Sequence, residues 1–490
     1  MSQYPAYLSY FVKEFSGVST ATFKIPPQAS APLTAHKQMS FCLPTNTLVS
    51  CKDIRLIFSA KTIAGTNAAA ARLPAAKSLI ERIVVTAGGI QIDSGIANQN
   101  VLEQALDNMK VREPDPVDSH SQMVRNFNGY NDVKFGGTDG AAARTVAEEY
   151  NNNHGATQFA VDLGTFFRTV SPNMLSLDLM PEITVTIYTA DNSVITSGQA
   201  TGTLAEFTTA AAGATQATYE IHNYSLLVPC YSIDDGMYQK VVQARMADSG
   251  YLTCSWDGYD AFNDTFNGVT RCASAASSLD KIIAVFRNAD YAAVKGAIEV
   301  HGYNNGLQTP QTSAAAGQPT VPLAMSQSAT YILDQPSTYG GAKYLSAPMN
   351  FTSPMAHLPI KDAGGNDHSA DREPELAWSI NSVRYPQFNA NLAAHYQLLK
   401  DSFEVDRTQC QSYLEWLTNR FQVALRLNLP QSTAMRAKSG LDLRGSNSSI
   451  LLSNVSGDIK TGPAEMNVLL FLQSHRELRI GMGKTLQLIL

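Results

Sequence analysis

The residues most suggestive of chemistry are Gly481-Met482-Gly483-Lys484-Thr485, which match the end of a phosphate-binding loop. In that motif glycine backbone N–H groups cradle phosphate and the lysine reaches its outer oxygens. The full spacing requires glycine five residues before Gly483, where this chain has Leu478. It also requires a helix after Thr485 to aim further N–H groups at the anion, whereas Leu486-Gln487-Leu488-Ile489 alternates like a strand. The pattern argues against nucleotide binding.

The acidic cluster Asp362, Asp367, His368, Asp371, Glu373 and Glu375 offers the carboxylate oxygens that calcium favours, but not the spacing of an EF-hand. It reads as a solvated loop. None of the nine histidines falls in an HExxH or HxH arrangement, so no metal ligand set is assigned. The chain has no GxSxG elbow for a serine nucleophile. Six cysteines (Cys42, Cys51, Cys230, Cys254, Cys272, Cys410) include no CxxC pair and read as buried free thiols. The expectation is a protein that is not an enzyme, with no catalytic residue, cofactor or metal. One enzymatic alternative stays open, a tandem β-sandwich that binds or cleaves carbohydrate, because the separation of two catalytic carboxylates is a spatial property.

Composition narrows the class further. The 490 residues suit two units of about 200 to 250 residues. Charged residues make up 16 %, against about 25 % in ordinary soluble domains, and such a surface suits contact with other protein. The net charge of −6, with no dense basic run, offers no platform for neutralising phosphates. No direct nucleic-acid contact is expected. The first residues lack the basic start and apolar centre of a signal peptide, and no apolar run approaches about 18 residues. The reading is a soluble protein, not secreted, folded in a reducing compartment.

The elements that must carry these residues are mostly strands. An exception opens the chain: Met1 to Gly17 has Pro5 suited to a first helical position and Gly17 suited to a helix end. At helical spacing Tyr4, Tyr7, Leu8, Phe11 and Phe15 share one face, either packed on their own domain or serving as a docking arm. From Ala21 the pattern alternates through TFKIPP, KQMSFCL and CKDIRLIFSAKTI, then Phe159 to Phe167 and Leu179 to Ala190, and then YEIHNYSLLVP. A helix is expected over Asp235 to Met246, followed by the strands YLTCSW, DKIIAVFR and FQVALRLNL. The stretch from Ala464 to Leu490 reads as two strands broken near Ser474-His475. The Ala-rich piece Ala64 to Ala76 reads as a loop, and long polar insertions occupy 112–158, 191–218 and 288–375, the last with short strand-like pieces AIEV and TYIL.

An internal echo organises the chain. Leu376 to Phe403 reads as strand, tight turn, strand and helix; 293 positions earlier, Ile83 to Lys110 has the same order. Gly88-Gly89 stands at the place of Asn381-Ser382, and Ala97, Asn98 and Leu106 meet Ala390, Asn391 and Leu399. Two related halves follow.

The order and spacing of SLIERIVVTAGGIQIDS with its helix, FAVDLGTFF, LDLMPEITVTI, IHNYSLLVPCYSIDD, DKIIAVFR, INSVRYP with its helix and SGLDLRGSNSSILL span nearly the whole chain. In this the chain resembles the double jelly-roll major capsid proteins of tailless icosahedral viruses, the lineage of adenovirus hexon, membrane-containing phages and large eukaryotic DNA viruses. The resemblance implies an all-β fold of two tandem eight-stranded antiparallel jelly-roll sandwiches with short flanking helices and long loop insertions. It divides the chain into an amphipathic arm (1–18), a first jelly roll (19–229) and a second (230–490) carrying the insertion 288–375. It further implies a homotrimer forming a pseudo-hexagonal capsomer, with neighbouring capsomers, penton and minor capsid proteins, and in some members an internal membrane, as partners. The location is then the virion shell, with the insertions rising as outer towers and the Tyr4 to Phe15 face on the inner side.

Overall fold

A computed structural model describes residues 18–29, 31–63, 70–72, 76–109, 157–194, 196–198, 218–233, 236–288, 351, 353–354, 375–404, 413, 416, 420–428, 440–444, 448–456 and 466–489. Strands dominate, and their burial follows the period of two. In the run Ile183–Thr189, Ile183, Val185, Ile187 and Thr189 are buried while the residues between them are half-buried.

Eight strands build the first sandwich: β1 (Val18–Ile25), β2 (Gln38–Cys42), β3 (Arg55–Ile63), β4 (Ile80–Ala87), β5 (Ile90–Asp93), β6 (Thr157–Asp162), β7 (Ile183–Thr189) and β8 (Thr218–Ile233). One sheet carries the order β1-β8-β3-β6, extended by the short strand Leu48–Ser50 paired to β8 and by Met174–Ser176 paired to that strand, and the other runs β2-β7-β4-β5. The second sandwich repeats this with β9 (Tyr251–Thr265), β10 (Val269–Ala273), β11 (Leu279–Asn288), β12 (Glu375–Ile380), β13 (Val383–Asn391), β14 (Gln422–Arg426), β15 (Ser449–Ser456) and β16 (Met466–Gly481). Its sheets run β9-β16-β11-β14 and β10-β15-β12-β13. Within each set the strand orders are therefore 1-8-3-6 and 2-7-4-5, all antiparallel, which is the jelly-roll topology twice over.

The repeated unit matches in detail. The turn between β4 and β5 places Gly88 and Gly89 at φ +55° and +83°, and the turn between β12 and β13 places Asn381 and Ser382 at φ +50° and +68°. Two successive positive φ values are what a two-residue hairpin turn requires for its twist to match the strands. A helix follows each hairpin: α1 (Gln99–Asp107) in the first half, and in the second a helix over Leu392–Phe403. Asn98 and Asn391 each precede their helix but act differently. Asn391 Oδ1 accepts from Ala394 N at 2.9 Å as an N-cap, whereas Asn98 sits at φ +62° and makes no side-chain cap.

Antiparallel alternation puts the connections 1→2, 3→4, 5→6 and 7→8 at one end of each sandwich. In the first, Thr189 N donates to Lys37 O, Ala190 N donates to Leu79 O, and Ala70–Arg72 pairs with Thr196–Gly198, joining these connections to one another. In the second, Phe421 N donates to Phe351 O and Phe266 N to Met466 O. The long insertions 110–156, 199–217 and 289–374 all belong to these connections.

Three expectations are corrected. Phe159 to Phe167 is not one strand: β6 ends at Asp162 and α2 (Gly164–Thr169) follows. Gly164 takes φ +45°, and a Cβ there would lie 2.0 Å from Gln99 Nε2, so the chain turns where only glycine fits. The break expected near Ser474-His475 is absent; β16 is continuous, and the turn comes at Met482–Lys484 before the short strand Leu486–Ile489 folds back on it. Ser474 is 4 % exposed and stays in the ladder, opposite both Gly258 and Leu279, so sheet pairing overrides its weak strand preference. The loop expected over Ala64 to Ala76 contains Ala70–Arg72 as a strand. The helix expected over Asp235 to Met246 is α3 (Gly236–Ser249); the Leu392–Phe403 helix is therefore α4. The AIEV and TYIL pieces lie outside the described residues.

Candidate functional site

The structure describes some of the chemical candidates and not others. After Thr485 the chain enters the strand Leu486–Ile489, so no helix follows the Gly481–Thr485 segment. The acidic cluster lies outside the described residues except for Glu375, which opens β12. Among the described residues no group of three or more His, Cys, Asp or Glu side chains could hold a metal ion. Cys51, Cys230, Cys254 and Cys272 are buried and free, and Cys42 is half-buried. Burial pushes the Cys51, Cys254 and Cys272 thiols up to about 12. They stay protonated at neutral pH and are poor nucleophiles. Cys410 and the aromatic face of Tyr4, Tyr7, Leu8, Phe11 and Phe15 lie outside the described residues.

What the described residues bring together is a seam between the two sandwiches, and it is built by exchange. The first core includes Cys254, Trp256, Leu478 and Ile480 from β9 and β16. The second includes Ile96, Val101, Leu102, Ala105 and Met109 from α1 and its flanks. Good helix formers fill α1, and Gln99 through Ala105 are all buried, which is tolerable only because its polar side chains have partners. Gln99 Oε1 accepts from Ile83 N at 3.1 Å, and Asn100 Nδ2 donates to Ser78 O at 3.1 Å. Across the seam, Gln422 Nε2 donates to Ala105 O at 3.1 Å.

At the opposite end Ser171 and Ser255 exchange backbone hydrogen bonds of 2.7 and 2.8 Å, Asp257 N donates to Thr169 Oγ1 at 3.1 Å, and Phe166 meets Trp256 edge-on at 5.1 Å. Gln422 begins a strand at the insertion end of the second sandwich, and α1 leaves the insertion end of the first; Ser171 and Ser255 belong to the two insertion-free ends. The sandwiches therefore stand side by side with their insertions on one face.

Charge bridges the seam at Arg476, and a second ion-pair cluster lies within the first sandwich beside α1. Arg476 lies 3.7 Å from Asp93 of the first sandwich and 2.8 Å from Asp260 of the second. The Arg476 and Asp93 side chains are only 6 % and 8 % exposed. Burial raises the Asp93 pKa, and the Arg476 guanidinium and the Gly95 N–H pull it part of the way back. Gly258 makes the room, because a Cβ there would lie 2.1 Å from Arg476 Nε. Beside α1, Lys77 contacts Asp162 at 2.9 Å, Glu103 at 3.5 Å and Asp107 at 3.6 Å, and Arg168 contacts Glu103 at 2.6 Å. Burial pulls the Lys77 pKa down, but the three carboxylates outweigh it and the net shift is upward. These groups are committed to one another as structural ion pairs.

Sequence reasoning found the repeated hairpin and helix but not this seam. Arg476, Gly258 and Asp93 sit in unrelated stretches, and only the alternation of the polar Arg476 with Leu478 and Ile480 hinted that an arginine faces a core.

No family model matches the chain, and no curated protein matches it. Solved structures do. A quasi-atomic model of the PBCV-1 virus capsid aligns with TM-score 0.53 at 13 % identity, covering 98 % of this chain and 98 % of that one. The cryo-EM structure of the Sputnik virophage aligns with TM-score 0.51 at 10 % identity, covering 98 % and 89 %. The Faustovirus major capsid protein aligns with TM-score 0.50 at 10 % identity, covering 96 % and 92 %. The likeness runs the length of both chains, and it establishes the fold as the double jelly roll.

Proposed function

We propose that this chain is a structural major capsid protein, three copies of which form a pseudo-hexagonal capsomer of an icosahedral virion shell. One observation carries the reading: two sandwiches of identical topology stand side by side across a buried, charge-locked seam, with every long insertion on one face. That gives each chain two of six similar edges and two dissimilar ends, the form a tile needs when one end faces out and the other in. The full-length likeness to capsid structures supports the same reading, and the sparse charge suits a surface that meets protein.

The division into an arm (1–18), a first jelly roll (19–229) and a second (230–490) belongs to this proposal. Val18, where the arm joins β1, pairs with Ile233 at the insertion-free end, which supports an inner position for Tyr4, Tyr7, Leu8, Phe11 and Phe15. There the arm would hold neighbouring capsomers or minor proteins, next to an internal membrane in a virion that has one. The insertions would form the outer towers around the trimer axis.

Native mass spectrometry tests the assembly: a species three times the 53.0 kDa chain mass is expected, and a monomer at micromolar concentration in mild buffer refutes it. Deleting Met1 to Gly17 tests the arm. Soluble trimers that assemble poorly are expected, and normal shells from that variant refute an assembly role.

A further inference from the structure

The seam inside one chain shows how the side of one sandwich is covered by another, and β1 displays the same side uncovered. Trp256 is the sixth residue of β9 and Phe23 the sixth of β1, each the first strand of its sandwich. Both lie on the face their strand shares with strand 8: Trp256 with Cys254, Leu478 and Ile480, and Phe23 with Ile25, Val228 and Cys230. Trp256 is 1 % exposed because the first sandwich covers it through Phe166 of α2. Phe23 is 48 % exposed, with the neighbouring residues from Ser19 to Lys24 also exposed. A large aromatic at an equivalent position, closed in one half and open in the other, marks an interface whose second member comes from elsewhere.

We infer that the Phe23 face of β1 is a docking surface for a second copy of this chain, covered by the second sandwich of that copy as the first sandwich covers Trp256. The partner is a copy because the second sandwich repeats the strand orders of the first and is joined to it by one such contact, so the same pairing of edges can recur between chains. A contact between unlike edges is heterologous, and it closes into a ring when its rotation divides a full turn. This assignment rests on the capsid reading and names the residues of that assembly's edge.

The test uses the full chain. Phe23→Glu should weaken association of the three-chain species about a hundredfold or more, as expected for a charge placed in a desolvated aromatic contact. Below the concentration at which the wild type associates, its circular dichroism and unfolding midpoint should stay those of the wild type, because Phe23 is half-exposed in the single chain. Val269→Glu, at a 53 % exposed apolar residue of β10, is the control and should assemble normally. Phe23→Trp supplies a direct probe, since Trp256, Trp378 and Trp416 are all fully buried and give a constant background. Its added emission should shift to the blue as concentration is raised through assembly. Wild-type association by Phe23→Glu overturns the inference and leaves the capsid reading standing, whereas a monomeric wild type overturns both. Blue emission from Phe23→Trp at every concentration shows that the chain covers the residue itself, and also overturns the inference.

Discussion

Arg476 can be tested as the electrostatic lock between the sandwiches. Replacing it with methionine keeps most of the side-chain volume and strands Asp93, which is 8 % exposed and retains the Gly95 N–H at 3.1 Å. At the observed 3.7 Å the lost attraction is about 4 kcal/mol for an effective dielectric constant near 20. That agrees with the roughly 3–5 kcal/mol typical of removing one partner from a buried pair. The loss should depend on pH in a defined sense. Asp93 already has a raised pKa from burial, and removing Arg476 removes the main influence holding it down. A carboxyl whose folded pKa lies above its unfolded value destabilises nothing below the unfolded value of about 3.9, and costs progressively more as pH rises through the folded one. Arg476→Met should therefore be strongly destabilised at pH 7 and less so near pH 5. Adding Asp93→Asn should recover a large part of the loss, since an uncharged amide replaces the stranded carboxylate. The assay is guanidinium unfolding followed by tryptophan emission, read as midpoints because a chain of two sandwiches need not unfold in two states. A wild-type midpoint for Arg476→Met at pH 7, or no recovery in the double variant, would refute the lock.

Further expectations follow from other residues. His395 is fully buried in α4 with Nε2 at 3.1 Å from Leu376 O, and burial pulls its pKa down to about 4. The unfolded chain binds the extra proton first, so stability falls as pH drops from about 6.5 towards 4, by on the order of 3 kcal/mol; His395→Gln should flatten that acid limb in unfolding midpoints. Burial pushes Lys281 down to about 8 even with its Nζ 4.2 Å from the centre of the Phe403 ring. Wild type should gain stability relative to Lys281→Met between about pH 8 and 10.5, and parallel midpoint curves across that window would count against it. Ser382 holds φ +68° in the β12–β13 turn, so Ser382→Gly should raise the thermal midpoint, by about 0.5–1 kcal/mol of stability; a lower midpoint would mean that the serine has another role. Gly258→Ala should lower it, because the new Cβ displaces Arg476; an unchanged midpoint would show that Arg476 relocates freely.

Most of the architecture was legible because period-two alternation is a local signal. β7 and the hairpin glycines Gly88-Gly89 announced themselves, and the fainter copy at Asn381-Ser382 was recoverable once an offset of 293 aligned it. The errors share a cause, since each lies where a distant segment decides. Phe166 and Phe167 look like strand residues but turn helical, with Phe166 packed on Trp256 some ninety positions away. Ser474 looks like a breaker but is held in register from both sides. The seam was invisible for the same reason: Asp93 and Arg476 are 383 positions apart, and nothing local marks either as a partner. The missing glycine at Leu478 and the strand-like alternation after Thr485 were local signals too, and the structure has the strand Leu486–Ile489 there.

The exchange of side chains between the two cores has a consequence for synthesis. Leu33 and Phe41 enter the first core near its beginning in sequence, yet that core also contains Leu478 and Ile480. During translation the first sandwich can acquire all eight of its strands and still present an unfilled apolar flank until β16 has left the ribosome, more than 400 residues after Leu33. Completion of the first core thus waits on a segment made long after its own strands, and until then its flank stays open to off-pathway contacts. Pulse-labelled chains stalled before β16 should be protease-sensitive at the α2 segment and should become resistant only once β16 has emerged.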